Sequence, residues 1–128
     1  MRPAIEGNRI AAAGALLAAA GVALGAFGAH GLRATLSAEA LGWWNTAVQY
    51  QMWSALGLLA LGLVPAGASA RRLGLAAALI GIGALIFSGS LYALALTGAR
   101  WLGMVTPVGG LAMIAGWSLA AWRLKGSV

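Results

Sequence analysis

The chain has 128 residues, 62% of them hydrophobic and only 8% charged, with a net charge of +6. Ordinary soluble domains are about one-quarter charged, so a soluble fold of this size is excluded. There is no cysteine, which also excludes disulfides, thiolate nucleophiles, thiol-ligated metals, covalent haem and a lipoprotein anchor.

The charges leave four long gaps: Arg9 to Arg33, Glu39 to Arg71, Arg72 to Arg100 and Arg100 to Arg123. A helix rises 1.5 Å per residue, so each gap is long enough to cross a hydrocarbon core of roughly 30 Å. The sequence therefore predicts an all-α integral membrane protein, a bundle of four transmembrane helices forming a single membrane domain over residues 1–128. In chain order the spans are expected at about 10–29, 45–64, 73–97 and 103–122. The first run, after Arg2 and Arg9, is longer than the apolar region of a signal peptide and reads as a retained helix. Ser37 has the chemistry of an N-cap, with Glu39 in the favoured first turn, so the second helix is expected to begin near residue 37. Pro65-Ala66-Gly67 breaks the second helix from the third, and Gly98 ends the third. Pro107, near the start of the fourth, either occupies a first helical turn or kinks the span.

Basic residues beside the span ends set the orientation. Arg2, Arg9, Arg71, Arg72, Arg123 and Lys125 stand at one end, against Arg33 and Arg100 at the other. By the positive-inside rule both termini are cytoplasmic. Trp43, Trp44 and Trp101 then fall in the outer aromatic belt and Trp122 in the inner one. The basic residues are scattered singly or in pairs, so no nucleic-acid partner is expected, and the bilayer is the expected surroundings.

Small residues recur at helical spacing: Gly14, Ala18, Gly21, Gly25 and Gly28; Gly74, Ala78, Gly81, Ala84 and Ser88; Gly109, Ala112, Gly116 and Ala120. Such stripes allow close backbone approach in lipid, where packing is driven by van der Waals contact. Polar groups collect toward the outer leaflet: Asn45, Thr46, Gln49, Gln51 and Ser54; Ser88, Ser90, Tyr92 and Thr97; Thr106. Two readings are open. These groups either knit helices together or line a polar pocket open to the outer face, since unsatisfied polar groups in lipid are costly. The candidate cluster is His30, Arg33, Gln49, Gln51, Ser54, Ser88, Ser90, Tyr92 and Thr106. His30 is the only histidine, and without cysteine or a nearby carboxylate it makes a poor metal site. Beside Arg33 it is suited to capping the first helix or holding a lipid phosphate. Both acids, Glu6 and Glu39, flank the spans, and no nucleophile–base pair can be named. No enzymatic activity, metal or cofactor is expected.

Four segments are shared with a known family: Gly25-Ala26-Phe27-Gly28-Ala29-His30-Gly31-Leu32, Val48-Gln49-Tyr50-Gln51-Met52, Phe87-Ser88-Gly89-Ser90-Leu91-Tyr92, and Thr106-Pro107-Val108-Gly109-Gly110 with Gly116-Trp117. In this order they resemble the YgdD/YwdK-type family of small four-helix membrane proteins, a domain of unknown function with mitochondrial relatives. Members often carry His where this chain has Ser54. The resemblance implies four helices and a bacterial inner membrane, and it supplies no activity or substrate. The functions expected are a non-enzymatic structural, accessory or assembly subunit of a membrane homo-oligomer or larger complex, or a channel or carrier for a small solute or lipid.

Overall fold

The computed structural model describes the backbone of residues 2–65 and 68–125 and the side chains of 7–65 and 73–125. Four α-helices follow one another: α1 (Arg2–His30), α2 (Ala38–Gly62), α3 (Ala68–Thr97) and α4 (Thr106–Lys125). A 3₁₀ turn over Arg100–Met104 leads into α4.

Local chemistry sets several of these ends. Ser37 is extended and its hydroxyl accepts from the Ala40 N–H at 3.1 Å, which caps α2. Gly98 has φ of 70°, a left-handed conformation that glycine adopts without strain, and it ends α3. Pro107 lies in the first turn of α4, where its missing N–H interrupts no helical hydrogen bond. Ala66 and Gly67 of the break between α2 and α3 lie outside the described residues, as do the side chains of Arg2, Arg71 and Arg72.

Among the described residues three segments are long and apolar enough to cross a membrane: Gly7–His30, Leu73–Thr97 and Arg100–Lys125. Helix α2 is long enough at 25 residues, about 37 Å, but Asn45, Thr46, Gln49 and Gln51 dilute its apolar character. It nevertheless lies antiparallel along α1 for most of its length. Gly62 meets Gly7 at one end, and Trp44 lies over Gly28 at the other.

The helices pack in chain order, α1 on α2, α2 on α3 and α3 on α4, with a lighter contact between α1 and α3. Among the described residues α1 and α4 make no close backbone approach to each other, which leaves them as two edge helices on either side of α2 and α3. Side chains alone link α2 to α4, as where the Trp117 ring lies against Gly57.

Glycines set the closest approaches. Gly7, Gly14, Gly21 and Gly28 repeat every seven residues down the α2-facing side of α1. A Cβ on Gly14 would lie 2.6 Å from the Ala55 carbonyl oxygen, and one on Gly62 would lie 2.5 Å from that of Gly7. Between α3 and α4 the paired glycines are Gly83 and Gly109, where a Cβ on either would approach the other's carbonyl oxygen at 2.8 or 2.6 Å. The small-residue stripe expected on α3 therefore divides. Ala84 and Ser88 are buried, whereas Gly74, Ala78 and Gly81 face a groove, and Gly83 takes the close approach to α4. On α4 the stripe holds, with Gly109, Gly116 and Ala120 buried.

Candidate functional site

The expected polar cluster separates into groups spent on the fold and groups left at the surface. Gln51, Ser54, Ser88 and Ser90 are buried, and Tyr92 and Thr106 half-buried. Among the described residues no buried side-chain nitrogen or oxygen lacks a hydrogen-bond partner.

Gln51, only 4% exposed, occupies the centre. Its amide N–H donates to the Leu17 carbonyl of α1 at 2.9 Å, and its Oε1 accepts from the Tyr92 hydroxyl of α3 at 2.6 Å. One side chain thus joins three helices. Gly21 lies beside this pair: a Cβ there would strike the Met52 side chain and stand in ordinary contact, 3.5 Å, with the Gln51 nitrogen.

The same device recurs one heptad toward the His30 end. The Trp44 indole N–H donates to the Leu24 carbonyl at 2.9 Å, and its ring occupies the space over Gly28 that a Cβ would fill. In both cases a glycine stands four residues beyond the bonded carbonyl, covered by Trp44 itself at Gly28 and by Met52, the neighbour of Gln51, at Gly21. Leu17 with Gly21 and Leu24 with Gly28 stand seven residues apart, as do Gln51 and Trp44 on the antiparallel partner. The Trp44 ring also meets Tyr92 edge-on at 4.6 Å and Phe27 at 6.1 Å.

Trp44 is therefore not a member of the outer belt. It is 3% exposed, whereas Trp101 is 65% exposed. Its spacing carried the signal: Trp44, Ala47, Gln51, Ser54, Ala55 and Leu58 fall on one buried face of α2.

The remaining ties join α2, α3 and α4. The Ser88 hydroxyl donates to the Ala47 carbonyl of α2 at 2.7 Å. Ser90 and Thr106 share a hydroxyl–hydroxyl bond at 2.6 Å, which fixes the start of α4 against α3. Ser54 donates to the Met113 sulfur of α4 at 3.5 Å, a weak contact.

His30, Arg33 and Gln49 are not drawn into this network and are exposed. His30 is the last residue of α1, and Arg33 lines a recess of about 240 Å³ with Asn45 and Leu41. Sequence reasoning missed one surface pair: Arg100 bonds Glu39 at 2.9 Å, with its guanidinium 5.7 Å from the Trp43 ring. It clamps the start of α2 to the 3₁₀ turn before α4, but both partners are well exposed, so it adds little stability.

The four shared segments coincide with this wiring. Gly28, Gln51, Ser88, Ser90, Tyr92, Thr106 and Gly109 each lie at one of the helix contacts described above. Comparison with known sequences agrees. The family model "Protein of unknown function (DUF423)" matches residues 24–110. The chain is 48% identical to the UPF0382 membrane protein SH2409 of Staphylococcus haemolyticus over 81% of this chain and 84% of that one. It is 43% identical to the UPF0382 inner membrane protein YgdD of Escherichia coli K12, over 81% and 82% of the two chains. No solved structure matches it significantly. With its apolar helices, the chain is a multi-pass protein of the bacterial inner membrane. It belongs to the DUF423 family of membrane proteins of unknown function.

Proposed function

We propose that the protein is a non-enzymatic subunit of a membrane oligomer or larger membrane complex, crossing the bilayer four times with both termini cytoplasmic. The observation that carries this reading is the use of the buried polar groups. Gln51, Tyr92, Ser88, Ser90 and Thr106 are bonded between helices, so they hold the fold together and are not free to bind or turn over a substrate. The antiparallel packing of α2 along α1 supports a fourth span, because a helix held beside a spanning helix shares its depth. The excess of Lys and Arg at the Arg9 end supports the orientation. The edge helices leave large apolar side chains outward, among them Leu16 and Val22 on α1 and Leu111 and Ile114 on α4. These faces are available to further copies or other membrane proteins.

Purification in a mild detergent tests the reading. A defined oligomer or a reproducible co-purifying membrane protein is expected, and a stable monomer without companions contradicts it. A carrier or channel for a small solute or lipid is the second reading, favoured by the recess beside Arg33 and Asn45. Flux in proteoliposomes that disappears in Arg33→Ala, with folding intact, would establish it instead.

A further inference from the structure

We propose that the groove between α1 and α3 at the Arg9 end binds an acyl chain of an anionic phospholipid, with Arg9 holding the lipid phosphate. The groove arises from the packing order. Helix α1 follows α2 closely but diverges from α3, and Gly74, Ala78 and Gly81 put no large side chain into the gap. A Cβ on Gly74 would meet nothing within 4 Å, and one on Gly81 only the Leu58 side chain at 3.6 Å. The resulting space is about 460 Å³, nearly all of it apolar, with Leu58 among its walls.

Length and charge identify the occupant. Along α1 the groove runs from Arg9 to Leu17, roughly 12 Å, and along α3 from Gly74 to Leu85, roughly 16 Å. That is about half of a hydrocarbon core of roughly 30 Å, the depth of a single leaflet. A transmembrane helix from a second copy would need a seat across the whole thickness, whereas one lipid chain needs only this. The cation stands where the headgroup would be. Arg9 is exposed, lines the groove, and forms no ion pair among the described residues. The same end of the protein carries Arg2, Arg71, Arg72, Arg123 and Lys125 against the single acid Glu6. A basic site between transmembrane helices at the headgroup level favours an anionic lipid.

The test is native mass spectrometry of the full chain released from vesicles of equal phosphatidylglycerol and phosphatidylethanolamine. Preferential retention of phosphatidylglycerol is expected, undiminished by excess inorganic phosphate. In Arg9→Gln that preference should fall about fivefold, the effect of one basic residue at a membrane surface. Ala78→Phe and Gly81→Leu, which fill the groove, should lower retention of both lipids. Ala78 is exposed, so Ala78→Phe keeps the test valid if Gly81→Leu misfolds. Equal retention of the two lipids by the unaltered chain, or an unchanged preference in Arg9→Gln, overturns the proposal. So does loss of a dimer in Ala78→Phe without loss of lipid, which would assign the groove to a second copy.

Discussion

The Tyr92 hydroxyl and the Gln51 amide meet at 2.6 Å, and the far side of the same amide reaches the Leu17 carbonyl. Thirteen residues from the start of α2, about 20 Å along the helix, this bond lies deep in the bundle. At such depth each group needs a partner within the protein, and these two supply one another.

A double-mutant cycle over Gln51→Leu and Tyr92→Phe measures that tie. Interhelical hydrogen bonds in membranes couple by about 0.6 kcal/mol and at most about 1.7 kcal/mol. Favourable coupling within that range is expected in detergent or lipid unfolding. Gln51→Leu should be the costlier single change, because it strands the Tyr92 hydroxyl and also loses the bond to Leu17.

Glycines on different faces should respond with opposite sign to one substitution. Gly14→Ala forces a Cβ against the Ala55 carbonyl and the Leu59 nitrogen, both at 2.6 Å, and neither backbone atom can step aside alone. A cost of about 1–3 kcal/mol is expected, as for other overpacked sites. Gly89→Ala meets nothing within 4 Å and should gain up to about 1 kcal/mol from helix propensity. Thermal stability of the two variants checks the pair.

Trp44 and Gly28 should be non-additive. Gly28→Ala drives a Cβ into the indole, and Trp44→Ala removes the ring that it strikes together with the bond to Leu24. Each alone should destabilise, while the double variant should lose clearly less than their sum.

Ser88 separates fold from function. Ser88→Ala removes one hydrogen bond to a carbonyl that already lies within a helix, so a loss of about 1 kcal/mol or less is expected. Ser88→Leu places a large side chain in a site 3% exposed and should prevent α2 and α3 from packing. Expression and thermal stability of the two variants distinguish these outcomes.

Much of this fold was legible because its determinants are local. Three of the four charge-free gaps matched helices long and apolar enough to span, Ser37 had the chemistry of a cap, and Gly98 supplied the left-handed turn that ends α3. The polar cluster was legible as a set of residues, but its wiring was not. Whether Gln51 faces a neighbour or water depends on how α1 and α2 are rotated against each other, and that rotation is fixed by contacts between residues distant in sequence. Trp44 was misplaced for the same reason, since tryptophan at that depth fits both an interfacial belt and a buried seat. On α3, Gly81 and Gly83 are equivalent by composition, and only the path of α4 decides that Gly83 is covered and Gly81 left open.

Whether the buried polar cluster fastens helices or lines a wet pocket is decided most directly by thiol accessibility, for which a chain without cysteine is well suited. Ser88→Cys and Ser90→Cys would be treated in intact membranes with a membrane-impermeant maleimide, which needs a hydrated thiolate. Gly42→Cys and Gly103→Cys, at open positions near the same end, serve as accessible controls. Interhelical fastening predicts labelling of the two controls and none at positions 88 and 90. Labelling of Ser88→Cys in a folded protein, at a rate near that of the controls, would contradict it.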